Sequence, residues 1–501
     1  MTRDRRKYLL IVAVVVFVVH SLLGSFRLLR DPEEDVDAMC LFRDSSLYRS
    51  IYVYPSPGDA EWKGSILSPF GHNLTWNDWP WLTIDNETKT IESSHYHPMS
   101  MHAQFSTEIL VRDILTHPDS CLRTYDPEEA KLFFVPYFPS MEFHAGKKGS
   151  PPSHRTSPFA QSILDILEKN NHSSWERQFG LSSKYWRRRE GADHILVFSE
   201  PLQGLTHPKN KRGSYHFIHT QKQLTPPIVI SVELSTTFVR TYPKCTAKNI
   251  LLPYPITDGR YYNGNFSRVA DIKRPINSQD ERPLLQWYKA GIHGSCVPLR
   301  NSVHKDYKCS ETFRQQKALD TYYSVGMRLA KFCPCTGGDT ASAKRMFDAV
   351  LTGCIPIILS HDFVWPLTDE LPGDTAPLKV EDFSLRWNAS EYSTRKYNAS
   401  CQLIDDTQPS LEERIRTIPA SEVERLQEGL RRAARIYSYY RPRPNFPWNP
   451  LRDGILPDGD AALSLVRALE DRASGERWNG CQEELLQIQQ DPPEEPTKFV
   501  C

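Results

Sequence analysis

Apolar and polar positions along the chain form two alternating series of short strands and helices, separated by one polar stretch. "IYVY" at 51–54 reads as a first strand, and "SMHAQFSTEILVRDILTH" at 100–117 carries apolar residues at helical spacing. A short helical turn is expected over Asp126-Pro127-Glu128-Glu129-Ala130. "KLFFVPYF" at 131–138 follows it, too continuous for a half-exposed strand, so it should be buried on both faces as in a parallel sheet. "SPFAQSILDILEKN" at 157–170 predicts another helix, and "DHILVFS" at 193–199, "PIVIS" at 227–231 and "NILLPYP" at 249–255 repeat the buried-strand pattern. Residues 256–282 are polar and turn-rich and mark a boundary.

The alternation then restarts. "PLLQWYKAG" at 283–291 reads as a strand ending in glycine, and "DTYYSVGMRLAKFC" at 320–333 as a helix running into a strand. "FCPCTGGDTASAKRMFDAVLTGCIPIILS" at 332–360 supplies a strand, a Gly-Gly turn, a helix stopped by Gly353 and a further strand. "APLKVEDFSL" at 376–385 is one more candidate, and "SEVERLQEGLRRAARIYSYY" at 421–440 has strong helical periodicity with an expected N-cap at Ser421. Strand–helix alternation of this kind implies open α/β sheets, which bind ligands at the carboxyl ends of their strands.

The amino terminus departs from this pattern. Arg3, Arg5, Arg6 and Lys7 precede an apolar run from Tyr8 to about Leu23, close to the roughly 17–25 residues that span a bilayer. A cleaved signal peptide would have a shorter apolar core and a small-residue cleavage site. Here Phe26, Arg27 and Arg30 follow the run, which favours an uncleaved anchor with its amino end cytosolic. The chain divides into a cytosolic tail at 1–7, a transmembrane anchor at 8–26, a stem at 27–46, an amino-terminal α/β domain at 47–270, a second α/β domain at 271–440 and a carboxy-terminal extension at 441–501.

Composition narrows the partners. The 501 residues carry 61 basic and 61 acidic side chains, which argues against bulk electrostatic binding of nucleic acid. Six Asn-x-Ser/Thr sequons, at Asn73, Asn86, Asn171, Asn265, Asn388 and Asn398, fit a secretory-pathway face and are candidate N-glycosylation sites. Eleven cysteines suit an oxidising lumen. The odd count leaves one over, with Cys40 and Cys501 as candidates for an unpaired or inter-chain thiol. Cys333-Pro-Cys335 lacks the spacing and second ligand pair of a metal site, so it reads as a disulfide half or a buried thiol.

The segment 332–360 carries the candidate chemistry. A loop of small residues that opens a helix presents free amides and the positive end of the helix dipole to an anion. Gly337, Gly338, Thr340 and Ser342 fit a phosphate there; Arg345, one turn on, fits a second phosphate; Asp348, a turn further, fits a ribose diol. The alternative from the residues alone is an N-capped core helix with an Arg345–Asp348 pair. The segment is neither a P-loop nor a dinucleotide fingerprint.

Phe332, Cys333, Gly338, Asp339, Thr340, Ser342, Arg345, Phe347, Asp348, Ala349, Gly353, Cys354, Ile355 and Pro356 closely resemble the carboxy-terminal signature of exostosin-like glycosyltransferases, family 47 among the sugar transferases. "RTYDPEEAKLFFVPYF" at 123–138, "WRRREGADHILVF" at 186–198, "NILLPYP" and "RPLLQWYKAGIHGSCVPLR" resemble that family's other landmarks in order, so the likeness runs over about 50–440. It implies two Rossmann-like domains facing a cleft, the GT-B arrangement. It further implies a nucleotide-sugar donor, chiefly a UDP-sugar, held by the carboxy-terminal domain and a glycan acceptor held by the amino-terminal one. On this resemblance Asp348 would bind ribose, Thr340, Ser342 and Arg345 would meet the diphosphate, Gly338 would belong to the same nucleotide-sugar site, and Lys289, His293 and Arg300 would add charge. His293 and Ser295 stand where the family often has arginine, so this loop departs from the pattern.

Inverting transfer is implied, and a base near the acceptor hydroxyl would assist it. Asp193 and His194 are candidates, His194 alternatively being a brace for the fold; Glu200 is a third, alternatively a solvated loop charge. No metal is expected to be obligatory, a divalent cation being at most a stimulant. A Golgi type II membrane enzyme is the expectation, alone or as a homo- or hetero-dimer with another glycosyltransferase. A catalytically silent scaffold of the same family is the alternative.

Overall fold

In the computed structural model, residues 40–54, 107–116, 120–135, 183–189, 191–199, 227–234, 236–241, 243–254, 282–291, 296–317, 323–338, 340–371, 377–393, 401, 409–437 and 460–474 are described. The expected anchor at 8–26 and the helix at 157–170 lie outside them. Among the described residues no helix is long and apolar enough to cross a membrane.

Strands β1 (Ile51–Val53), β2 (Arg123–Thr124), β3 (Leu132–Phe134), β4 (His194–Phe198), β5 (Ile228–Ser231) and β6 (Ile250–Leu251) form one sheet in the order β2-β1-β3-β4-β5-β6. Strands β7 (Leu284–Gln286), β8 (Ala330–Thr336), β9 (Ile355–Leu359) and β10 (Leu385–Arg386) form a second, in the order β10-β9-β8-β7. Every pairing is parallel. Helices of the first unit are α1 (Thr107–Thr116), α2 (Ser183–Arg188), α3 (Thr236–Thr241) and α4 (Pro243–Lys248). The second unit carries α5 (Val297–Cys309), α6 (Glu311–Lys317), α7 (Tyr323–Leu329), α8 (Lys344–Thr352), α9 (Ser390–Ser393), α10 (Leu411–Arg416) and α11 (Ala420–Ile436), and α12 (Ala461–Ala473) comes last. The expected buried parallel strands are present: β3, β4, β5 and β9 are buried at every position, as strands covered on both faces must be.

The sequence reading gave no element over α3, α4, α5, α6, α9 or α10, and three further features differ from it. Residues 40–46, read as stem, fold against the first sheet. Leu41 and Phe42 pack on its core, Cys40 is bonded to Cys121, and the Ser45 hydroxyl donates to Glu470 at 2.7 Å. Cys40 is therefore an intrachain partner, not a free thiol. The segment 460–474, read as part of an extension, is helix α12, and it returns to the first domain: Ala462, Leu465, Val466 and Leu469 join that core. Asp460 caps it by accepting from the Leu463 amide at 2.9 Å, a start signal visible in the sequence. Arg472, almost wholly buried, donates to the Lys248 and Asn249 carbonyls at the end of α4. Finally, α11 starts at Ala420 after Pro419 and not at an N-cap Ser421, because Pro419 fixes the extended turn ahead of the helix.

Cys333 bonds Cys354 across β8 and the start of β9, while Cys335 is a buried thiol whose pKa burial pushes up to about 12. The two halves of Cys-Pro-Cys thus have separate structural roles. Alternation along β8 sends them both into the core, where neither is a ready nucleophile.

Candidate functional site

Strand β8 ends at Thr336, and the chain turns through Gly337 and Gly338 into α8. The Gly338 amide donates to the Ser342 carbonyl at 2.9 Å. A methyl on Gly338 would lie 2.6 Å from that carbonyl oxygen, which is why only glycine fits the turn. Helix α8 opens at Ala343 without a side-chain cap and closes at Gly353, whose φ of 77° is a left-handed C-cap. Met346, Phe347, Ala349 and Val350 bury its apolar face against the second sheet.

The three polar residues of the helix segment are drawn apart. Ser342 Oγ meets the Tyr254 hydroxyl at 3.0 Å. Arg345 turns back along the loop and donates through Nη1 to the Thr336 carbonyl at 2.7 Å, the Thr336 hydroxyl at 3.0 Å and the Gly337 carbonyl at 3.2 Å. Asp348 pairs with Lys344 one turn before it. The Arg345–Asp348 pair expected for a plain core helix is not formed, because the carbonyls at the end of β8 hold the guanidinium first. Ser342 and Arg345 therefore brace the loop at the carboxyl end of β8, while Asp348 sits on the flank of the helix.

The supporting cations sit differently from each other. Arg300 lies in α5, almost wholly buried behind the loop, and donates through Nε to the Gly337 carbonyl and through Nη1 to the Gly291 carbonyl, each at 3.0 Å. Its charge lies behind the turn, so it positions the loop from the back. Lys289 is exposed after β7. His293 and Asp339 lie outside the described residues.

A residue that the sequence reading missed completes the loop. Glu233, two positions beyond the carboxyl end of β5, accepts with one oxygen from the Thr340 hydroxyl and from the Ser342 amide, both at 2.6 Å. Burial pushes its carboxyl above the ordinary range, reinforced by nearby Asp362. The rule that open α/β sheets work at their strand ends was the signal that could have found it. The same segment of the first domain stitches a second point: the Thr236 amide donates to the Asp362 carbonyl at 3.1 Å and its hydroxyl to the Asp362 carboxylate at 2.9 Å. Val232 and Tyr254, from the first sheet's strand ends, are buried in the core of the second, with Tyr254 against Phe347 at 5.3 Å. The carboxyl ends of the two sheets thus face each other across the loop.

Asp193 and His194 are not at this face. His194 is the first residue of β4, at the amino end of the strand, and neither it nor Asp193 has any exposed surface. Its Nδ1 meets Asp193 at 2.8 Å and its Nε2 meets the Tyr54 hydroxyl at 3.0 Å. The ring stacks on Phe133 at 4.9 Å. Burial holds the imidazole below its ordinary pKa, while Asp193 is held below the usual carboxylate range by its bonds to His194 and Arg188, which outweigh its own burial. With both ring nitrogens engaged and no exposed surface, the bracing alternative describes this pair. At the carboxyl end of β4, Glu108 and Ser199 bond reciprocally: the Glu108 amide donates to Ser199 Oγ at 2.9 Å and the Ser199 amide to Glu108 Oε1 at 3.2 Å. Glu200 itself lies outside the described residues.

Among the described residues no group of three or more His, Cys, Asp or Glu side chains is arranged to hold a metal ion. Of the sequons, Asn388 is exposed, and its Oδ1 accepts from the Ser390 hydroxyl at 2.8 Å; the other five lie outside the described residues.

The family model named Exostosin GT47 domain matches residues 47–386. The chain is 25% identical over 261 residues to a probable glycosyltransferase of Arabidopsis thaliana, covering 52% of this chain and 48% of the relative. It is 25% identical over 284 residues to a probable beta-1,4-xylosyltransferase of the same plant, covering 55% and 61%. It is 23% identical over 292 residues to a probable glucuronosyltransferase of Physcomitrium patens, covering 57% and 58%. The chain thus spans about half to three-fifths of the length of these relatives.

Proposed function

The chain belongs to the exostosin GT47 family, and from that premise we propose that it is a glycosyltransferase moving a sugar from a nucleotide sugar, chiefly a UDP-sugar, to a glycan with inversion. The observation that carries the reading is the loop from Thr336 to Ala343. It lies at the carboxyl end of β8, faces the strand ends of the other domain, and leads into the helix that holds Asp348. Related chains bear the names of xylosyl- and glucuronosyltransferases, so UDP-xylose and UDP-glucuronate head the list of donors to screen. Nucleotide binds on the second domain and acceptor on the first.

On this reading the residues of the chain bind and orient. The helix amides and Arg345 draw the leaving diphosphate, and Asp348, exchanging its lysine partner for the ribose hydroxyls, fixes the nucleoside. Loss of water between the two domains strengthens these contacts. No obligatory metal is part of the reading, and full activity in EDTA checks that point. The cationic cluster at 3–7 and the apolar run at 8–26 support a type II membrane protein of the Golgi with both domains lumenal, and a partnership with a second transferase is compatible with that placement.

The test is binding of UDP by the purified full-length chain and by its Asp348→Ala variant. Wild-type binding that is lost in a folded variant supports the reading; equal binding by both removes Asp348 from the site. A second reading, the catalytically silent scaffold, is favoured by one observation: Thr340, Ser342, Arg345 and Asp348 all have protein partners in this state. Co-purification with an active transferase, without UDP binding or turnover of its own, would select it.

A further inference from the structure

We propose that Glu233, a residue of the acceptor-side domain, is a positioning residue for the donor: it fixes the Thr340–Ser342 turn so that the nucleotide-sugar site is complete only when the two domains are joined. The inference rests on the nucleotide-sugar reading above. Its ground is the pair of 2.6 Å bonds that one buried carboxylate oxygen receives from the Thr340 hydroxyl and the Ser342 amide.

Two roles are open to such a carboxylate. An anion held by the donors of an anion-binding loop could be a stand-in that leaves when a phosphate arrives. The surroundings decide against departure. Glu233 lies next to Val232 and is bonded across to the same loop residue, Ser342, that Tyr254 touches. Val232 and Tyr254 are both embedded in the core of the other domain. Thr236, three residues on, is tied to Asp362 through its amide and its hydroxyl. The backbone of Glu233 is therefore fixed on both sides, and swinging its side chain alone away from the turn would leave a buried carboxylate without its two donors. A group anchored on both sides stays, and what it holds is the geometry of the turn.

The consequence is a reassignment. With Glu233 in place, the Thr340 hydroxyl and the Ser342 amide are occupied, so the diphosphate is met by the amides of the first turn of α8 and by Arg345, which the fixed turn aims. The turn is tight: Gly338 donates to the carbonyl of Ser342, the same residue whose amide Glu233 holds, so a slip at one end is felt at the other.

The experiment compares wild type, Glu233→Ala, Glu233→Gln, Thr340→Val and the Glu233→Ala/Thr340→Val double variant as full-length chains. UDP affinity, donor KM, acceptor KM and kcat are measured on each. Glu233→Ala is expected to raise the UDP Kd and donor KM by about tenfold or more, with acceptor KM and kcat close to wild type. Glu233→Gln, whose amide oxygen accepts both bonds, restores donor KM. Thr340→Val removes one of the two bonds while keeping the Glu233 side chain and weakens donor binding, and the double variant is no worse than Glu233→Ala alone, since both act on one turn. Tighter UDP binding by Glu233→Ala would overturn the proposal in favour of a displaced stand-in anion. Equal losses in donor KM, acceptor KM and kcat would overturn it as a general packing defect, with Thr340→Val serving if Glu233→Ala does not fold. Wild-type UDP binding with an unaffected Glu233→Ala sinks this inference alone; absence of UDP binding by wild type sinks the nucleotide-sugar reading and this inference with it.

Discussion

Replacing Gly338 with alanine tests how closely the loop is built. The added methyl would stand 2.6 Å from the Ser342 carbonyl oxygen, where contacts below 3.0 Å are essentially never seen. The turn must open by at least 3.0 − 2.6 = 0.4 Å. Ser342 cannot take up the shift freely, because its amide is bonded to Glu233 at 2.6 Å and its hydroxyl to Tyr254 at 3.0 Å. Overpacking of this kind costs about 1–3 kcal/mol, and at about 2–4 °C per kcal/mol for a domain of this size Tm falls by several degrees. The effect on function should be larger in proportion, since a misplacement of about 1 Å in a site can cost about 10²-fold. Differential scanning fluorimetry and UDP titration on the same preparation read both. An unchanged Tm together with unchanged UDP affinity would refute the reasoning, because it would mean the turn is slack and that its hydrogen bonds do not hold the site.

Two further outcomes follow from the same geometry. Burial holds His194 below its ordinary pKa of 6.5, so the unfolded chain takes up a proton that the folded chain refuses; stability from this group is full above 6.5 and declines as pH falls below it. A Tm series across about pH 7.5 to 5.5 should therefore slope downward in wild type and less in His194→Gln, and identical slopes would show that the buried imidazole is not the cause. Arg282 donates to the Met327, Ala330 and Thr352 carbonyls at 3.2, 2.7 and 2.9 Å, joining the ends of α7 and α8 to the start of β8. Arg282→Met leaves these acceptors without that donor at about 1–3 kcal/mol each, so a loss of Tm well beyond that of Gly338→Ala is expected, and a wild-type melting curve would contradict it.

Much of the architecture was legible because it depends on local patterns. Continuous apolar runs such as Leu132–Phe134 and Ile228–Ser231 can only be satisfied between two covered faces, and they became adjacent parallel strands. The Gly-Gly turn and the helix ended by Gly353 were also local, set by close approach and by a positive φ. The roles of individual polar side chains were less legible. Asp193 and His194 looked like an acid–base pair in sequence, but the direction of β4 puts them at the amino end, away from the facing strand ends. Arg300 read as a loop cation and is a buried helix residue. Helix α12 carried a start signal at Asp460, yet its return to the first sheet depends on which apolar face was left uncovered there.

The sequence by itself determined the buried strands and the parallel sheets they build, the turn that only glycine can make and the family signature over 332–356, because each is a matter of neighbours in the chain. The tertiary structure alone decided that Glu233 reaches across 107 positions to hold Thr340, that Arg345 is drawn to the carbonyls at the end of β8, leaving Asp348 to its helix neighbour Lys344, and that residues 40–46 and 461–473 belong to one folded unit. Spacing along a helix fixes which side chains can share a face. Which of them pair depends on the acceptors within reach, and for Arg345 and Thr340 those lie off the helix, at the end of β8 and at Glu233 of the first sheet.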